Sequence, residues 1–490
     1  MQKIERPQVL PNQIGGRPVD AVDGGSFEKL DPHSGKPLVR AARSRAPDIE
    51  AAVAAAAAAF PGWSTTPAVE RGMTLHRLVR AMQDQRNEII CTVAQETGKS
   101  PRDAAGETDA AIALGLFFAS EGQRLYGRTT TSGVRNKQAM TIRRPIGVTG
   151  LIVAANTPIA NVCWKVFPAL VCGNTAVLKP AEDTPATAWF FGQLAASSGL
   201  PPGVLNIVQG LGEEAGGPLV AHHRVDVVSF TGSTEVGRCV QEVAGRRLAR
   251  VSLELGGKNP FIVCDDAGLE NAARWASLSA FSNAGQRCAA ASRIIVFDAV
   301  YETFRDLLVQ RAASLRLGPT DDDDLGPVIN QRQLDRMLDQ SAAAAESGAR
   351  TLIGGCRLTD DEHREGFYMA PTILEGVSPD AEISRCELFG PIAIMYRVPG
   401  FEEALDLANR SPYGLTASIH TRSIDRAQLF CERIRSGVAV VNAGTYGSEP
   451  HMPFGGFGNS GNGWREPGTE ALDVYTELQD VYICANPDGV

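Results

Sequence analysis

The chain has 490 residues, 43% hydrophobic and 21% charged, the balance of a globular protein long enough for two or three domains and a large buried core. A formal net charge of −9, with no Lys/Arg cluster to neutralise phosphates, argues against a nucleic-acid surface. No stretch stays apolar for the roughly 20 residues that a bilayer crossing needs, and the start MQKIERPQVLPNQIGG lacks an apolar core of signal type, so a cytoplasmic protein without membrane contact is expected.

In chain order, PDIEAAVAAAAAAFPGW predicts a helix, with Pro47 and Asp48 as opening proline and candidate N-cap. The stretch AVERGMTLHRLVRAMQDQRNEIICTVAQETGKS keeps helical spacing up to Gly98, a plausible stop. From about residue 146 short β-rich runs (GVTGLIVAAN, TAVLKP, VLNIVQG, DVVSFTG, NPFIVCDD) alternate with helical ones (TPATAWFFGQLAASSG, STEVGRCVQEVAG). That alternation predicts an α/β fold with a parallel sheet, crossover helices and a nucleotide crevice at the strand ends. The acidic run Asp321 to Asp324 reads as a solvated loop.

Two features of this region can carry chemistry. SFTGSTEVG sets Gly232 and Gly237 between a strand and a helix without the GxGxxG spacing. They are either ordinary turn glycines or a phosphate site, where bare backbone N–H groups and the Ser233 hydroxyl meet an anion at a helix N-terminus. Lys179 and Glu182 follow the strand TAVLK. They are solvated charges unless the strand end borders the crevice; there both can hydrogen-bond ribose hydroxyls, and the carboxylate repels a 2′-phosphate, favouring NAD over NADP.

Ten cysteines are scattered without a CxxC pair or Cys/His ligand spacing, so no metal site is predicted and most are small core hydrophobes. Cys288 in SNAGQRCAAASR differs: Ala284, Gly285, Ala289 and Ala290 leave room around the sulfur, and Arg287 precedes it. No histidine motif accompanies it, which excludes a cysteine protease.

The stretches PIGVTGLIVAANTP, WKVFPALVCGNTAVLKPAEDTP, FTGSTEVG, LELGGKNP, AGQRCAAASR, ELFGPI, PYGLTASIHT and MPFGGFGNSGNG occur in one order, and through them the chain resembles the aldehyde dehydrogenase superfamily over nearly its whole length. The resemblance implies that Cys288 is the nucleophile, forming a thiohemiacetal and then a thioester with an aldehyde. It makes Glu254 the general base for thioester hydrolysis and Asn156 the oxyanion donor beside the Cys288 backbone N–H. By the same likeness Lys165 and Glu477 form an auxiliary proton relay, or else a surface salt bridge. Lys179, Glu182, Gly232, Ser233, Gly237, Leu255, Glu387 and Phe389 become cofactor residues, with NADP less favoured than NAD. Trp164 and Phe454 become walls of the substrate tunnel, or core.

The likeness also implies an architecture: a Rossmann-type parallel-sheet cofactor domain (1–124 and 146–255), an α/β catalytic domain (256–458) and a small β oligomerisation element (125–145 and 470–490). Exposed strands in that last element predict a homodimer or homotetramer. Departures from the family pattern are Ala154 and Ala155 where Pro-Trp is common, Gly458 for a lysine, and an intruding Trp464. The last two are expected in a loop capping the site. Asn161, Arg287 and the stretch GTYGSEPHMPF add polar groups at the expected tunnel mouth. The C-terminal part is similar to members acting on oxo-acid semialdehydes such as 2-oxoglutarate semialdehyde, and a carboxylate-bearing aldehyde is expected. Arg287 either anchors that carboxylate or is held by a structural one. A CoA-acylating relative is the alternative, disfavoured by Glu254; a non-catalytic structural or binding protein on the same scaffold is another, disfavoured because every catalytic position is filled.

Overall fold

The computed structural model describes residues 6–485; the ends of the expected cofactor domain (1–5) and oligomerisation element (486–490) lie outside the described residues. The alanine-rich run forms the helix Ala46–Thr65. Asp48 is not its N-cap but sits in its first turn, where its carboxylate accepts the N–H of Arg45 at 2.8 Å and of Val22 at 2.8 Å. The next run is divided into Ala68–Asp84 and Arg86–Thr97. The second helix stops at Gly98, whose left-handed φ of 74° lets its N–H return to Ala94 O.

A seven-stranded sheet follows, in the spatial order Arg250–Glu254, Val227–Thr231, Val148–Ile152, Thr175–Lys179, Leu205–Ile207, Asn12–Ile14, Arg17–Val19. The first five run parallel, and Asn12–Ile14 adds antiparallel at the far side. These strands are buried almost throughout, which explains why they read as continuous apolar runs rather than alternating ones. From Val148–Ile152 the chain adds strands first on one side and then on the other. That reversal opens a crevice at the carboxyl ends of the strands, where α/β sheets bind ligands.

The second seven-stranded sheet has the order Arg350–Ile353, Thr372–Glu375, Ile392–Val398, Ala291–Phe297, Asn259–Val263, Thr416–His420, Val438–Val441. Only the pair at its first edge is antiparallel. A third sheet joins Thr476–Cys484, Lys137–Pro145 and Thr129–Thr130, with the first two paired antiparallel over their full length. Among the described residues no helix is long and apolar enough to cross a membrane.

Candidate active site

Cys288 owes its place to a tight turn. Asn283, Ala284 and Gly285 take φ values of 54°, 52° and 68° in succession, a conformation L-residues adopt at a cost of order 1–2 kcal/mol each. The segment after it is pinned: Asn259 Nδ2 donates to Cys288 O at 2.7 Å and to Ala290 O at 2.9 Å, and Thr445 Oγ1 to Ala289 O at 2.6 Å. Three strand ends of the first sheet converge on the same point, supplying Asn156 after Val148–Ile152, Gly232 after Val227–Thr231, and Glu254 at the end of its own strand.

Two cavities meet at the sulfur. A cleft of about 970 Å³ is lined by Glu254, Leu255, Gly232, Ser233, Glu387 and Phe389. A funnel of about 1270 Å³ is lined by Lys99, Arg102, Asp103, Glu107, Arg287 and Tyr446. Cys288, Asn156, Thr157, Trp164 and Phe454 border both. Trp164 and Phe454 meet edge to face with centroids 5.4 Å apart, so both are walls at the junction rather than core. Cys288 can therefore be approached from two sides at once, as a reaction between two bound molecules requires.

The resting charges are unusual. Burial pushes the Cys288 thiol up to about 12, helped by the nearby Glu387 and Glu254 carboxyls and opposed by the Ala289 N–H and the Arg287 charge. Glu254 is buried with neither carboxyl oxygen hydrogen-bonded among the described residues. Desolvation, then the charge of Glu466, holds it well above the usual carboxylate range. Burial also raises Glu387 to about 7, although its Oε1 accepts the Gly257 N–H at 2.9 Å.

The expected Lys165–Glu477 pair does not form. Lys165 Nζ donates to Glu466 Oε2 at 2.9 Å and to Ser229 Oγ at 2.7 Å. Ser229 Oγ and the Tyr475 hydroxyl reach the same carboxylate at 2.9 and 3.3 Å. Glu477 lies on the outer strand Thr476–Cys484, largely exposed and 3.9 Å from Arg250. Lys165 is buried, so it needs a buried counter-charge; one on a solvated strand cannot reach it. Glu466 falls between the expected catalytic domain and oligomerisation element, in a stretch assigned to neither. Its signal was a glutamate inside the glycine-rich return WREPG.

Other expectations are redistributed. Gly237 does not line the cleft: a Cβ there would meet Leu255 Cδ2 at 2.5 Å, so the glycine lets the helix Thr234–Gly245 pass closely over Leu255. Asn161 lines the cleft, not the funnel. Its Nδ2 donates to Ala154 O at 3.1 Å and to Asn156 Oδ1 at 3.3 Å, which fixes the amide so that Asn156 Nδ2 donates to Gln286 O at 3.0 Å. Trp164 and Arg287 do line the funnel. Trp464 lies away from both cavities, with the Arg250 guanidinium 5.4 Å over its ring, and so does not cap the site. Sequence reasoning missed Lys99, Glu107, Ser229 and Glu466, all buried polar groups contributed by elements remote in the chain, whereas Tyr446 of the expected stretch GTYGSEPHMPF does line the funnel.

The cleft suits a dinucleotide. Gly232 and Ser233 line it and present a helix N-terminus, while Lys179 and Glu182, 3.2 Å apart at the end of the strand Thr175–Lys179, stand outside its lining. A side chain at Gly256 would run into the Glu387 carboxylate, so that backbone is bare towards the cleft. Among the described residues no cluster of metal ligands occurs.

The sequence pattern of the Aldehyde dehydrogenase family matches residues 19–481. The chain is 37% identical to alpha-ketoglutaric semialdehyde dehydrogenase of Bacillus subtilis over 99% of this chain and 100% of that protein. It is also 37% identical to human retinaldehyde dehydrogenase 3 over 98% and 96%. The solved structure of betaine aldehyde dehydrogenase from Staphylococcus aureus in complex with NAD+ superposes with a TM-score of 0.95 at 29% identity, covering 98% of this chain and 96% of that one. Cys288 is held where the cleft meets a separate funnel, and with the family pattern and the relatives matching across both large sheets the chain belongs to the aldehyde dehydrogenase family.

Proposed function

We propose that the protein oxidises a short ω-oxo acid, 2-oxoglutarate semialdehyde or a close analogue, to the dicarboxylate with NAD. Arg287 carries the substrate assignment. It lines the funnel beside Cys288, its Nε is buried without a partner among the described residues, and Asp103 stands 3.4 Å from its NH2 group. Lys99 pairs with Glu107 at 2.5 Å and Arg102 with Asp324 at 3.4 Å, which leaves Arg287, bordering the funnel with Cys288 and held by Asp103 through one nitrogen, as the cation placed to take a further anion. A substrate carboxylate would meet its guanidinium in a charge-assisted, geometrically specific contact. Overall identity does not separate the substrates, since the semialdehyde and retinaldehyde enzymes stand at the same 37%, so the reading rests on Arg287.

Lys179 and Glu182 would hold the adenosine ribose, Gly232 and Ser233 the pyrophosphate, and Glu387 and Phe389 the nicotinamide end. The Glu182 carboxylate accepts from a 2′-hydroxyl and repels a 2′-phosphate, hence NAD over NADP. When bound, NAD supplies the acceptor for the hydride that leaves the substrate carbon. The protein does the rest. Cys288 Sγ gives up its proton to solvent water and adds to the aldehyde carbon, while the Asn156 amide and the Cys288 N–H hold the oxyanion of the thiohemiacetal. Once the carbon is oxidised to a thioester, Glu254 takes a proton from water, which then displaces the sulfur. The base favours this hydrolytic route over acyl transfer to CoA. The segments 125–145 and 470–485 are assigned to self-association, as a homodimer or homotetramer.

The test is NADH formation with 2-oxoglutarate semialdehyde and with an uncharged aldehyde of equal length. Arg287→Leu should lower kcat/KM for the acid about ten- to a hundredfold, roughly 1.5–3 kcal/mol, and spare the neutral compound. Equal losses on both would end the substrate assignment.

A further inference from the structure

The oxyanion donor Asn156 sits on the short loop 153–157 between the strand Val148–Ile152 and the helix Pro158–Val171. What holds that loop is a buried ion pair on the funnel side. Lys99 follows the Gly98 helix stop, and Glu107 lies in the next helix, Pro101–Glu121. Lys99 Nζ donates to Glu107 Oε2 at 2.5 Å and to the backbone oxygen of Asn156 at 2.7 Å. Glu107 Oε1 accepts from the N–H of Ile159 at 3.0 Å and of Ala160 at 3.3 Å. Those N–H groups belong to the first turn of a helix, where no intrahelical acceptor exists and a negative charge is favoured. The pair therefore grips the loop at both ends, by the carbonyl of Asn156 and by the helix that starts two residues later. Asn283 Nδ2 adds a weaker hold on the same carbonyl at 3.3 Å.

Lys99 and Glu107 are 4% and 8% exposed. An apolar pair of like volume serves stability as well as or better than a buried ion pair, so stability alone does not account for charges in this place. Their contacts are all directional, and they converge on the backbone that aims one amide.

We propose that Lys99 and Glu107 are positioning residues for attack on the aldehyde: they act through Asn156 by fixing its backbone so that Nδ2 meets the developing oxyanion. This rests on Asn156 being the oxyanion donor, and the experiment separates the two claims. The rate of the first-turnover NADH burst is measured for the wild type, Asn156→Ala, Lys99→Met and the double variant. Asn156→Ala should slow the burst about a hundred- to a thousandfold; an unchanged burst would refute the oxyanion reading itself. Lys99→Met should slow it about ten- to a hundredfold, with KM for the aldehyde and the affinity for NAD within about twofold of wild type, and Lys99→Arg should recover most of the loss. In the Asn156→Ala background Lys99→Met should cost less than about twofold. If Asn156→Ala slows the burst but Lys99→Met costs as much with Asn156 as without it, Lys99 does not act through Asn156 and the proposal alone falls. A loss confined to KM would overturn it too, making Lys99 a substrate contact. Should Lys99→Met not fold, Glu107→Gln serves the same cycle, because it keeps an acceptor for Ile159 and Ala160 and removes the charge opposite Lys99.

Discussion

At the residue scale, burial opposes charge on both Cys288 and Glu254: it pushes the thiol up to about 12 and holds the carboxyl well above the usual carboxylate range. Glu254 works as a base only when ionised, so hydrolysis of the thioester should accelerate as pH rises through its raised pKa and fade below it. Glu466 adds to that elevation by like charge. Glu466→Gln should therefore move the acid limb of the steady-state rate to lower pH, read from kcat against pH; an unmoved limb would mean that Glu254 does not limit the rate. Glu254→Gln should keep the NADH burst and slow the steady state at least about a hundredfold. Cys288→Ala should abolish both while leaving NAD binding intact. Cys288, Glu254 and Asn156 were legible because each sits in a short contiguous motif. The partner of Lys165 was not, since Glu466 and Glu477 are both acidic and near in sequence, and only the phase and exposure of the last strand tells them apart.

At the element scale, the alternation of β-rich and helical runs was enough to foresee the parallel sheet, because its strands are buried on both faces and each is followed by its crossover helix. Finer details escaped. Asp48 looked like a cap from its neighbours, yet the helix begins earlier and the carboxylate reaches back from inside. Gly237 looked like a phosphate-site glycine, whereas the space it leaves is filled by Leu255, a contact between residues far apart in the local reading. Gly98 was read correctly, and its geometry makes a prediction. At φ 74°, with a Cβ 2.8 Å from Pro327 Cγ, Gly98→Ala should destabilise the protein by about 1–2 kcal/mol or more from the backbone alone, seen as a lower Tm. Because Lys99 is the next residue, the first-turnover burst should slow as well. A variant with unchanged Tm would show that the helix stop tolerates another conformation.

At the scale of the whole molecule, Cys288 is set where the two cavities meet, while several sheet edges, the longest of them Thr476–Cys484, are left open. The cleft and funnel take residues from both large sheets, and Cys288 lies where they meet. By contrast Thr476–Cys484 is an edge strand of nine residues in the three-stranded sheet, and Val438–Val441 closes one side of the second large sheet. On one face of the former, Leu478 and Tyr482 are 63% and 59% exposed. A long edge strand bearing exposed apolar groups invites pairing with another chain, and a closed assembly of identical copies is the solution that stays soluble. Light scattering at micromolar concentration should accordingly give a multiple of the 52.1 kDa chain mass; a monomer mass would reject this assignment of the strand. Leu478→Lys with Tyr482→Lys places two like charges on that same face, where burial against a partner would leave them desolvated and unpaired. The double variant should shift towards monomer, and the monomer should still bind NAD, because the strand Thr476–Cys484 carries none of the residues that line the cleft. Loss of NAD binding together with loss of assembly would instead mean that contact between copies holds the cofactor sheet in shape.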